Sequence, residues 1–177
     1  MGRFLNPGNV GFKQIIKPKT YVDKTGIIAY LNEWIDTDSR FVCVSRARRF
    51  GKTVAARTIR AYYDNSCDSR ALLAPYEIAR DPLYEEHINK YDVIGLDVQS
   101  FFLLDDDPQA FIKRLETAVL EEVCNKWSDI DGLKDMRLVN ALIKVHETTG
   151  AKFVFVIDEW DAVFRYYPKD DALQKKW

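Results

Sequence analysis

The sequence predicts an α/β fold built on a mostly parallel sheet, and three observations carry that expectation. Short apolar, β-favouring runs at 41–44, 93–98 and 153–157 have the character of strands covered on both faces. Segments with apolar residues at helical spacing lie between them and are long enough to act as crossovers. No internal repeat or low-complexity tract competes with this reading.

Taken in order, residues 1–20 carry Pro7, Gly8, Gly11 and Pro18 and predict an irregular lead-in to one domain over 21–177. Asp23 or Thr25 can cap a helix whose apolar positions are Ile27, Ile28, Leu31, Trp34 and Ile35, before Asp36 to Ser39 breaks it. Phe41 to Val44 is the first strand, and a helix over 52–64 follows, with Ala55, Ile59, Tyr62 and Tyr63 on one stripe and Arg57 and Arg60 elsewhere. Pro75, Pro82 and scattered charge predict short helices and loops over 65–90. The second strand is Val93 to Val98, with Asp97 near its end. Asp105 to Pro108 makes a turn and helix start, and Phe111, Leu115, Val119, Val123 and Trp127 follow at spacing four. A helix from about Lys134 to Thr149 should bury Leu138, Val139, Leu142, Ile143 and part of His146, and Gly150 is its natural stop. Phe153 to Ile157 is the third strand and runs straight into Asp158-Glu159.

Composition narrows the function. With 47% hydrophobic and 30% charged residues, the chain has ample core material for a globular domain. A net charge of −1 gives no global field that would draw it to nucleic acid or anionic lipid. No run approaches the roughly 20 apolar residues of a membrane span, and the N-terminus lacks a signal peptide's apolar stretch, so a soluble, cytoplasmic protein is expected. Cys43, Cys67 and Cys124 are odd in number and widely spaced, which predicts buried reduced thiols, most clearly for Cys43. His87 and His146 sit near no other soft ligand, so a transition-metal site is not expected.

The chemistry concentrates at two places. Residues 41–53 read FVCVSRARRFGKT, an apolar run that breaks into an arginine-rich turn and ends in Gly51-Lys52-Thr53 as a helical pattern begins. A turn feeding a helix N-terminus offers unpaired N–H groups and the positive end of the helix dipole to a phosphate. Gly51 lets the backbone come close, Lys52 adds a point charge for the β and γ phosphates, and the Thr53 hydroxyl is placed to ligate the Mg2+ that bridges them. The full phosphate-loop pattern has Gly five residues before Gly51, where this chain has Arg46. Of Arg46, Arg48 and Arg49, Arg49 is the best candidate for facing phosphate; all three can equally be solvated or paired. Chance supplies Gly-Lys-Thr in roughly one chain in ten of this length, so the triplet alone proves little. The second place is FVFVIDEWD, with Asp158 and Glu159 at the end of an apolar strand, where parallel-sheet proteins present ligand-binding groups. With ATP bound, Asp158 would hold the Mg2+ shell through water and Glu159 would take the general-base role. Asp161 is best read as a surface aspartate, with pairing to a basic group or a place near the site as the other options, and acidic residues also end strands simply as solvated caps.

At these residues the chain resembles the bacterial and archaeal AAA-ATPase-like family, whose members carry YVDKT, a loop close to RPRRFGKS, and a strand ending in IDEYD or IDEWD. Here the motifs stand in the same order as Tyr21 to Thr25, Arg46 to Thr53 and Ile157 to Asp161. The resemblance implies a P-loop NTPase three-layer sandwich, with Gly51, Lys52 and Thr53 as the nucleotide loop and Asp158 and Glu159 as the Walker B pair. The missing first glycine is typical of the family, whereas Ala47 replaces its usual Pro and loosens the loop. YVDKT is implied to lie near the nucleotide, with Asp23 and Lys24 as contacts or as a structural cap. In relatives the ATPase module continues with further strands and a helical lid, often followed by a nuclease-like domain, a nucleic-acid-linked partner. Nothing in residues 1–177 corresponds to these parts, so the expectation is an incomplete domain whose open sheet edges favour association between copies and whose hydrolysis is poor. The alternative is a non-catalytic nucleotide-binding or protein-interaction fragment.

Overall fold

The computed structural model describes residues 2–45, 47, 49–102 and 110–177. Arg46, Arg48 and the turn expected at Asp105 to Pro108 lie outside the described residues. The chain forms two compact units, one of Asn6–Val93 and one of Gly2–Leu5 with Ile94–Trp177.

The first unit is helical. It contains α1 (Val10–Ile16), α2 (Gly26–Trp34), α3 (Lys52–Tyr63), α4 (Arg70–Leu73), a 3-10 turn at Glu77–Arg80 and α5 (Tyr84–His87). Helix α1 occupies chain that the sequence predicts as irregular: Phe12 is fully buried against Tyr21 and Tyr76 in edge-on contacts, and that anchor outweighs the neighbouring Gly and Pro. Helix α3 matches its expected span, and Ile59, Tyr62 and Tyr63 are buried as expected, with Arg57 exposed. Helix α2 instead carries a buried polar residue. Asn32 Nδ2 donates to the Tyr62 hydroxyl at 3.0 Å and to Asp81 Oδ2 at 2.7 Å, while the Tyr63 hydroxyl donates to Asn32 Oδ1 at 2.8 Å. Burial pushes the Tyr62 and Tyr63 phenols up beyond the usual range, and that of Tyr91 to about 12.

One expectation fails here. Residues 41–44 form no strand, Phe41 is 84% exposed, and Cys43 is exposed rather than buried. An apolar run becomes a strand only when a neighbour accepts its N–H and C=O groups, and among the described residues none pairs with it.

The second unit is α/β. Strands β1 (Asp92–Asp97) and β2 (Phe153–Asp158) pair as a two-stranded parallel sheet, with β1 contributing from Ile94 onward. The helices are α6 (Val98–Phe102), α7 (Phe111–Lys126), α8 (Leu138–Thr149), α9 (Ala162–Tyr166) and α10 (Asp171–Lys176), with a 3-10 turn at Leu133–Asp135. Phe111, Leu115, Val119 and Val123 are buried along α7 at the predicted spacing of four, against Leu138, Ala141, Leu142 and Val145 of α8. Val139, Ile143 and His146, expected inside, are exposed. Gly150 ends α8 at φ 72°, the left-handed cap its sequence predicts. The Glu122 carboxylate accepts the backbone N–H groups of Arg3, Phe4 and Leu5, and Leu5 bridges antiparallel to Ile94. The whole is an α/β chain compatible with a P-loop-like fold.

Candidate functional site

In the first unit the chain turns sharply before α3. Arg49 sits at φ 68° and Gly51 at φ 80°, both left-handed. For Gly51 that conformation costs little, whereas for Arg49 it is a strained choice. The Gly51 carbonyl accepts the first helical bond, from Ala55 N–H at 3.0 Å. A helix start leaves its first N–H groups outside the i→i−4 ladder. Thr53 is exposed and Lys52 half-buried. A side chain at position 51 would also meet Lys24, whose Cε would lie 2.8 Å from the added Cβ. Lys24 thus lies directly over the last glycine of the loop.

The segment that carries Lys24 is pinned by its neighbour. Asp23 Oδ1 accepts the Thr25 N–H at 2.8 Å and Oδ2 accepts the Glu77 N–H at 2.9 Å. Thr25 is fully buried, and its hydroxyl accepts the Ile78 N–H at 3.2 Å. Partial burial disfavours the charged form of Asp23, but the hydrogen bonds from Glu77 and Thr25 outweigh it and hold the carboxyl below its ordinary value. Both Asp23 oxygens are engaged by backbone N–H groups, which gives this residue a structural tie; α2 begins after Thr25 with no side-chain cap bond, so the helix cap expected from Asp23 or Thr25 does not form.

In the second unit β2 alternates. Val156 and Asp158 are buried, while Phe155 and Ile157 are exposed, so one face of the strand is open rather than both being covered. Asp158 is 8% exposed, and its Oδ1 accepts the Glu159 N–H at 3.0 Å. Glu159 takes φ 53°, a left-handed conformation that turns the chain from strand to helix. Its Oε2 accepts from Arg165 Nη2, and Arg165 Nε lies 3.1 Å from Asp161 Oδ2, an ion contact that lacks hydrogen-bond alignment. Asp161 therefore pairs with a basic group. Arg165 was not found by sequence reasoning; the i,i+4 spacing from Asp161 was the available signal.

Arg49, Gly51, Lys52 and Thr53 are brought together in the first unit, Asp158 and Glu159 in the second. The oxygen donors suit Mg2+, which takes one or two protein oxygens alongside water and phosphate, and Asp158 Oδ2 is left by the bond at Oδ1. Among the described residues no group of three or more His, Cys, Asp or Glu is arranged to hold a metal by itself. No described helix is long and apolar enough to cross a membrane. No curated protein and no solved structure matches the chain. The loop that opens α3 and the acidic pair that ends β2 both fall within residues 8–177, which match the model of the AAA-ATPase-like family, described as a predicted AAA-ATPase, and the chain belongs to that family.

Proposed function

We propose that this chain is the nucleotide-binding module of an ATPase, taking Mg-ATP at Arg49, Gly51, Lys52 and Thr53 and directing water at the γ phosphate with Asp158 and Glu159. The observation that carries the reading is Gly51, left-handed at φ 80°, opening the 12-residue helix α3 with Lys52 and Thr53 in its first turn. A helix of that length presents its N-terminal N–H groups and dipole to an anion, and Lys52 adds the charge that a triphosphate requires. Thr53 and Asp158 would hold Mg2+, which supplies charge neutralisation on the phosphate oxygens. In the hydrolytic step the water oxygen bonds to the γ phosphorus, the bond to the β–γ bridging oxygen breaks, and the water proton passes to Glu159 while ADP departs. A three-layer P-loop sandwich, a nucleic-acid-linked partner domain, association between copies and a cytoplasmic location belong to the same reading.

Binding of Mg-ATP by the wild type and by Lys52→Ala tests the loop. The expected result is an affinity roughly ten- to hundredfold weaker in the variant, the worth of a charged hydrogen bond to phosphate. Equal affinity would sink the assignment. A second reading, a non-catalytic nucleotide-binding or protein-interaction module, is favoured by the exposed Phe41, Val42, Val44 and Phe50 beside the loop. Phosphate release separates the two: hydrolysis lost in Glu159→Gln supports the ATPase, and equal background rates in both proteins support the interaction module.

A further inference from the structure

Arg165 belongs to neither motif, yet its guanidinium reaches back across the turn to the Glu159 carboxylate. The pair is half-buried, with Arg165 27% and Glu159 30% exposed, so solvent screens it less than a surface ion pair. Arg165 is itself steadied by Asp161, 3.1 Å from its Nε and one helical turn before it. A tie that served α9 alone would need only that i,i+4 contact. Glu159 lies six residues before Arg165, outside helical pairing distance, and reaches it through its left-handed backbone. Only Oε2 is engaged; among the described residues Oε1 has no hydrogen-bond partner.

We propose that Arg165 is a positioning residue for hydrolysis: it holds Glu159 by Oε2 and leaves Oε1 to receive the proton of the attacking water, with Asp161 orienting Arg165 in turn. The inference rests on the general-base reading of Glu159. A glutamate has three rotatable side-chain bonds, and a base that samples many rotamers loses rate each time it is misplaced. A planar, permanently charged guanidinium is the side chain best suited to fixing a carboxylate.

The test is steady-state Mg-ATP hydrolysis by the full chain, comparing wild type, Glu159→Gln, Arg165→Met, Arg165→Lys and the double variant Glu159→Gln/Arg165→Met. Methionine keeps the apolar stem and removes the guanidinium. The expected result is a kcat roughly ten- to hundredfold lower in Arg165→Met with KM unchanged, partial recovery in Arg165→Lys, and no further loss when Arg165→Met is added to Glu159→Gln. If Arg165→Met does not fold, Arg165→Gln replaces it with the same expectation. Wild-type kcat in the neutral variant, or losses that multiply in the double variant, overturns the role of Arg165 while leaving Glu159 as base. A wild type no faster than Glu159→Gln overturns the general-base reading and this inference with it.

Discussion

Asp23 shows how a single residue divides between motif and structure. Its hydrogen bonds from Thr25 and Glu77 stabilise the carboxylate, so its folded pKa lies below the unfolded value. The stability it contributes is present above the unfolded pKa of about 4 and is lost as pH falls through the lower folded value. Asp23→Asn should therefore lower the thermal midpoint at neutral pH, with the difference from wild type shrinking as the solution is acidified; a pH-independent difference would rule this out. Residues whose role is local were legible in the sequence: Gly51 at the turn into a helix and Gly150 at a helix end need only their neighbours, and both prove left-handed. Asn32 was not, because the hydroxyls that give it meaning come from other elements; Arg165 had a local signal in its i,i+4 spacing from Asp161, but its tie to Glu159 depends on a left-handed turn that spacing does not reveal. Glu159 also carries backbone strain on the order of 1–3 kcal/mol, a cost invisible to any pattern of residue types.

Helix α8 separates periodicity from packing. The sequence pattern puts Leu138, Val139, Leu142 and Ile143 on one buried stripe, whereas the structure buries Leu138, Ala141, Leu142 and Val145 and leaves Val139 57% and Ile143 50% exposed. The true stripe is offset because alanine, small and easily overlooked, sits at its centre. Leu142→Ala should cost about 2–5 kcal/mol in urea unfolding, and Ile143→Ala about 0.5 kcal/mol or less. Comparable losses would show that α8 buries the other face. The buried stripe of α7 was read correctly from Phe111 to Val123, which repeat without interruption, while Trp127, the next in the series, falls just past the helix end. The run at 41–44 was misread for the opposite reason: its β propensity is strong, but strand formation is decided by pairing, which lies outside the segment.

At the scale of the whole molecule, the alternation of apolar runs with helical segments predicted the α/β class and composition a sizeable core, and the division into two units was not legible, since nothing in the residues around Val93 and Ile94 marks a boundary. The units differ in chemistry. The first holds Tyr62, Tyr63, Tyr84 and Tyr91, all buried and all with phenol pKa values raised by burial. Their neutral forms stabilise the fold fully below the unfolded value of ~10, and the contribution fades as pH rises toward the folded values. The urea midpoint should fall as pH passes ~10, and less steeply in Tyr63→Phe; an unchanged midpoint would count against this core. The second unit draws on two separate stretches of chain, and this has a consequence in time. Residues 2–5 leave the ribosome ahead of the rest of their unit, but the Glu122 carboxylate that accepts the Arg3 N–H lies 119 positions later. At ~5–20 residues per second that is a delay on the order of ten seconds, during which the first unit can close and the second cannot.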